Sequence, residues 1–144
     1  MFRNKASIYA VLAVVEVARR RPAGATTGIQ AGEIAETYGL PTAYAAKVMS
    51  QLTRSRILRS DRGRHGGFQL ARDASEIHLL EVIEAVHGVI DGRQDAEQFE
   101  VPAEIKAGLS DVYGSVTDQV REVLGGMTVG RFIREYCGAG SGTA

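Results

Sequence analysis

A chain of 144 residues with 44% apolar and 24% charged side chains is long enough to bury one compact core and carry an appendage. Its single cysteine, Cys137, excludes an intrachain disulfide framework and a cysteine-only metal or iron–sulfur site within one subunit, and fits a reducing, cytoplasmic location. The formal charge of zero hides an asymmetry: residues 1–75 carry twelve Lys and Arg against five Asp and Glu, or +7, and residues 76–144 carry five against twelve, or −7, so the front half suits a polyanionic partner.

At the start of the chain Arg3 and Lys5 precede an apolar run over 6–15 that imitates a signal peptide. Glu16, Arg19, Arg20 and Arg21 stand where a small-residue cleavage site belongs, and the run is too short to cross a bilayer, so that reading is rejected; no other segment reads as membrane-spanning. Ile8, Val11, Leu12, Val15 and Ala18 recur at helical spacing, which predicts a helix over 5–20 ended by the arginines and Pro22. A loop over 22–28 follows, then a short helix over 31–38 with Ile34 and Ala35 inward, stopped by Gly39. Pro41 opens another helix that runs to about 54.

Two helices across so short a turn are a helix-turn-helix pattern. In the second, Tyr44, Val48, Met49 and Leu52 share one apolar face, and Thr42, Ala43, Ala46, Lys47, Ser50 and Arg54 share the other. Small and hydrogen-bonding residues let a helix approach the floor of a DNA groove closely; an ordinary solvated face is the competing meaning. The period then changes to two over 57–60 and 68–70, which bracket Asp61, Arg62, Gly63, Arg64, His65, Gly66 and Gly67. This predicts a hairpin whose tip holds two guanidinium groups suited to phosphate or a narrow minor groove.

Helical spacing resumes over 79–86 through Leu79, Val82, Ile83 and Val86, and Gly88 closes it. Residues 89–102 read as an acidic, irregular linker. A long amphipathic helix is predicted from Pro102 or Ala103, with Ile105, Leu109, Val112, Tyr113, Val116, Val120, Val123 and Leu124 as an apolar stripe that seeks a partner helix. A short last helix over 128–136, capped by Thr128, precedes a small-residue tail over 138–144 expected to be disordered. The division expected is a winged helix-turn-helix over 1–88, the linker over 89–102, the long and terminal helices over 103–137, and the tail.

This order of elements, mainly α with a small β-hairpin wing, resembles the Rrf2 family of bacterial winged helix-turn-helix regulators. The residues that carry the resemblance are Glu33-Ile34-Ala35-Glu36, Leu40-Pro41 with Tyr44, Lys47-Val48 and Gln51-Leu52, then Ser60, Arg62-Gly63, Gly66-Gly67-Phe68 and Leu70-Ala71-Arg72. The match covers about 5–136, and its most distinctive part is Arg-Gly, two residues, Gly-Gly-aromatic and Leu-Ala-Arg. It implies a homodimer joined along the long helices through Ile105, Leu109, Val112, Val116, Val120 and Leu124. It also implies that Thr42, Ala43, Lys47 and Ser50, with Arg62, Arg64 and His65, face double-stranded DNA. Two departures stand out: Ala45 replaces a larger apolar residue, and Ser55-Arg56 replaces a small-Gly turn, which is expected to alter packing and one loop conformation. Cluster-binding members carry three cysteines between the helix after the wing and the long helix, whereas residues 88–103 here hold none, so no iron–sulfur cluster is expected.

The expected function is sequence-specific DNA-binding regulation of transcription, as a homodimeric repressor on a roughly palindromic operator. The competing class is a winged-helix module that docks protein through the long helix without reading DNA. No motif arranges nucleophile, base or metal for an enzyme. Cys137, with Arg134 nearby, is a candidate redox-sensing thiol against an incidental cysteine, and His65, His78 and His87 lack the partners of a metal site. A small-molecule effector between the helix after the wing and the long helix is a further expectation from the family architecture.

Overall fold

The computed structural model describes residues 4–20, 25–61 and 66–138. In chain order these form α1 (Lys5–Arg20), α2 (Ala31–Tyr38), α3 (Thr42–Arg54), β1 (Leu58–Asp61), β2 (Gly67–Leu70), a 3₁₀ turn (Ala74–Glu76), α4 (Leu79–His87), α5 (Gly92–Glu97), α6 (Ala103–Gly125) and α7 (Val129–Phe132), which runs on into a π-helical turn (Ile133–Cys137). The strands pair antiparallel with Leu58 opposite Leu70 and Asp61 opposite Gly67.

α1 is apolar almost all round, so its period alone does not choose the side that meets the core. Ala10, Ala13, Val14 and Val17 are the buried side, while Ile8 is 58% exposed and Val11 and Leu12 are half-buried. The expected stripe through Ile8 is therefore displaced: small alanines let the neighbouring helices approach closely, and the bulkier residues are left on the flank. The core that α1 helps to build holds Ile34, Val48, Met49, Leu52, Ile57, Leu58, Leu70, Ile77 and Val82. Each fully buried aliphatic side chain of this kind contributes about 1.5–3 kcal/mol.

Both helices of the turn motif close in the same way at their C-termini. Gly39 follows α2 with φ 65° and the Leu40 N–H returns to the Ala35 carbonyl at 2.8 Å. After α3 the Ile57 N–H reaches the Leu52 carbonyl and the Arg56 N–H the Thr53 carbonyl, both at 3.0 Å, which is the Schellman closure. Here the left-handed residue is Arg56, at φ 59°. Arg56 thus takes the left-handed closing position that Gly39 takes after α2, at a cost of about 1–2 kcal/mol that glycine would not carry.

Two further expectations are corrected. Residues 89–102 are not wholly irregular, because α5 forms within them; the Asp91 side chain caps it at Arg93 N–H, 3.0 Å, and Ile90 and Ala96 are buried. The segment after α6 does not belong with that helix alone. Val129 is fully buried in the core beside α1, and Val129 N–H to Ile77 O at 2.8 Å and Leu79 N–H to Met127 O at 2.9 Å stitch it to the start of α4. Thr128 caps α7 as expected, accepting from Arg131 N–H at 3.1 Å.

Candidate nucleic-acid interface

The pose of α3 is fixed from three sides. Ala45, Val48, Met49 and Leu52 are buried beneath it. Ala45 is 1% exposed, so a small residue here lets α3 sit close to the helices below. Tyr44 is half-buried and meets Tyr9 of α1 edge-to-face, centroids 5.5 Å apart. α2 is tied to α1 by Tyr38 Oη, which donates to Glu16 Oε2 at 2.8 Å, and by the Arg20–Glu33 ion pair at 3.3 Å. Glu33 also receives the Gln30 N–H at 2.7 Å, closing the first turn of α2.

With its inner face so held, α3 turns Thr42, Ala43, Ala46, Lys47, Ser50 and Arg54 outward, and all six are exposed. Lys47 and Arg54 enter no ion pair among the described residues, so both charges face solvent uncompensated. Such a face offers little bulk and two cations to an incoming groove.

Arg62, Arg64 and His65 lie outside the described residues, but the anchors on either side of them are well defined. On one face of the hairpin Arg59 and Gln69 are cross-strand partners. Arg59 Nη2 donates to Gln69 Oε1 at 2.7 Å, and Gln69 Nε2 donates to Asp61 Oδ2 at 2.5 Å, with Gln69 1% exposed. At the other edge of β2, Phe68 pairs with Ile29, and Gln30 Nε2 donates to the Gly66 carbonyl. The base of the wing is thus bonded to the residues that lead into α2. Sequence reasoning missed Gln69, Ile29 and Arg59; the only signal for Gln69 was its place after the Gly-Gly-aromatic motif and for Arg59 an outward position on β1, while Ile29, far from the motif in sequence, offered none.

The long-helix stripe divides in two. Ile105, Val112, Val116 and Val123 are exposed, at 50, 63, 45 and 71%, while Leu109 and Val120 are half-buried. Leu124 packs against its own chain's core. The inner side of α6 is taken by α5: Thr117 is 1% exposed and accepts the Gly92 N–H at 3.1 Å, and Arg93 makes paired bonds to Asp118 at 3.1 and 2.7 Å. Those bonds hold the Asp118 carboxyl below its ordinary range. Between α4 and α6, where an effector was expected, Glu84 pairs with Arg121 and receives the Ile90 N–H. An open hollow of about 340 Å3 lies instead beside α5 and α6, lined by Ala96, Phe99, Val101, Leu109 and Tyr113. Cys137 is half-buried against the core.

Residues 3–135 match the model of the Rrf2 family, described as iron-dependent transcriptional regulators. Among curated relatives, the chain is 30% identical over 117 residues to the helix-turn-helix transcriptional regulator Rv1287 of Mycobacterium tuberculosis, spanning 81% of this chain and 71% of that one. It is 28% identical over 125 residues to the Escherichia coli regulator IscR, spanning 87% and 75%. The fold superposes on CymR, the global cysteine regulator of Bacillus subtilis, with a TM-score of 0.72 at 22% identity, over 90% of this chain and 93% of that one. The donor set does not fit the iron in the family's description: among the described residues no three His, Cys, Asp or Glu side chains converge, and one cysteine cannot supply a thiolate set. No helix among the described residues is long and apolar enough to cross a membrane. From its sequence match and its winged-helix fold, the chain belongs to the Rrf2 family: it is a DNA-binding transcriptional regulator and not an enzyme.

Proposed function

We propose that this regulator is a cytoplasmic homodimeric repressor that reads a roughly palindromic operator. Thr42, Ala43, Lys47 and Ser50 face base edges in the major groove, and Arg62, Arg64 and His65 of the wing tip lie along the neighbouring backbone or minor groove. The observation that carries this reading is α3 itself, whose outward face is exposed and made of small, hydroxyl and cationic side chains, while Ile29, just ahead of α2, pairs with Phe68 of a hairpin whose sequence holds Arg62 and Arg64.

The dimer rests on the outward residues of α6, exposed apart from half-buried Leu109. Ile105, Leu109, Val112, Val116 and Val123 fall at alternating steps of four and three with one polar interruption at Gln119, the seam of a two-helix coil. Leu124 serves its own core, so the seam runs out through Val123 instead.

Selection of bound fragments from a random duplex pool tests the proposal. The expected result is two related half-sites in inverted orientation, with centres about one helical turn, or about 34 Å, apart. Enrichment of a single unrepeated motif, or none, would contradict it.

A further inference from the structure

A concave surface at the root of the wing belongs neither to the outward face of α3 nor to the wing tip. A hollow of about 600 Å3 opens beside β1, lined by Thr53, Arg56, Arg59, Ser60 and Arg72 among others. Its three guanidinium groups are held differently. Arg72 donates to the Glu76 carbonyl at 2.9 Å and pairs with Glu81, so its charge is balanced. Arg59 is steered by the neutral amide of buried Gln69, which orders the side chain without neutralising it. Arg56 enters no ion pair among the described residues.

The backbone at Arg56 adds an independent observation. Its left-handed φ of 59° sits in the same helix-closing position that Gly39 fills after α2. A residue chosen for the turn alone would be glycine. Arg56 and Arg59 both line the hollow, and neither guanidinium enters an ion pair among the described residues. Forked, always-charged donors of this kind match the oxygens of a phosphate group.

We propose that the wing-root hollow is an oxyanion site that takes a phosphate group, held by Arg56 and Arg59. The phosphate comes either from duplex backbone flanking the half-site or from a free phosphate compound. The free-phosphate arm does not depend on the DNA reading above.

Arg56→Gly and Arg59→Gln test it. Arg56→Gly keeps the left-handed turn, so its melting temperature is expected to be no lower than that of the wild type, and it removes the guanidinium from an intact fold. Inorganic pyrophosphate is titrated calorimetrically into wild type and variants in phosphate-free buffer, and duplex affinity is measured across a salt series. Saturable pyrophosphate binding weakened at least tenfold in both variants assigns a free-phosphate site. A log–log salt slope reduced by about 1 in each variant assigns a backbone phosphate. Absence of saturable pyrophosphate binding together with wild-type slopes in both variants overturns the proposal. If the protein binds no duplex at all, the pyrophosphate titration decides alone: lost binding in the variants supports the site, and no binding to wild type overturns it.

Discussion

Ile29 and Phe68 exchange two backbone hydrogen bonds, Ile29 N–H to Phe68 O at 2.9 Å and Phe68 N–H to Ile29 O at 2.8 Å. The residue leading into the helix-turn-helix is thereby a third rung on the wing's inner strand. This approach is possible because Gly28 has no side chain: a Cβ there would lie 2.6 Å from the Gly67 carbonyl carbon and 2.7 Å from the Phe68 nitrogen. Gly28→Ala is expected to destabilise the fold by about 1–3 kcal/mol in urea unfolding, since backbone cannot yield as a flexible side chain would. Wild-type stability in that variant would contradict the clamp.

Thr117 ties α5 to α6. Its hydroxyl accepts the Gly92 N–H at 3.1 Å and donates to the Tyr113 and Gly114 carbonyls, both at 3.0 Å, in a site that is 1% exposed. Thr117→Val keeps the shape and leaves the Gly92 N–H unpaired, at a cost of about 1–3 kcal/mol. Chemical denaturation checks it, and a change below about 0.5 kcal/mol would show that water reaches this N–H.

Val112 and Val116, 63% and 45% exposed, lie at the middle of the proposed dimer seam. Val112→Glu and Val116→Glu are expected to yield folded monomers in sedimentation equilibrium, with helical circular dichroism retained. A dimer that survives both substitutions would move the interface away from α6.

Tyr38 donates to Glu16 at 2.8 Å, and burial first, then that bond and the Glu16 charge, push its pKa from 10.0 up to about 12. Because the folded value is the higher one, the stability linked to Tyr38 is fully present below pH 10 and is lost as pH rises through about 12. Spectrophotometric titration of tyrosinate is expected to show a late component that vanishes in Tyr38→Phe, and the variant loses stability less steeply over that window. High-pH titration curves that coincide in the two proteins would contradict the Tyr38–Glu16 bond.

Much of this architecture was legible because local chemistry and tertiary packing agree. Gly39 between two apolar periods gives α2 and α3 their limits, and an a/d-like run gives α6. α5 escaped notice because Gly92 opens it and only Ala96 within it is an apolar anchor, so it is held by Thr117 and Asp118 from another helix. Which side of α1 is inward was not decidable from a helix made largely of Ala and Val. Leu124 reads in sequence as one more stripe residue, and its packing against the chain's own core was not legible because that core is completed by residues distant in sequence. The outward set on α3 was readable by periodicity; the Gln69 bridge was not, since a polar residue in β2 gives no hint of burial.

Duplex binding across a salt series tests the central claim most directly, with wild type, Arg62→Ala, Arg64→Ala and Lys47→Ala compared by fluorescence anisotropy on a selected site and on an unrelated sequence. Saturable binding with a steep negative log–log slope is expected, the slope falling by about 1 in each wing variant while Lys47→Ala lowers discrimination between the two sequences. A protein that forms the proposed dimer yet shows no salt-sensitive affinity for either duplex would contradict the account and favour a protein-docking role.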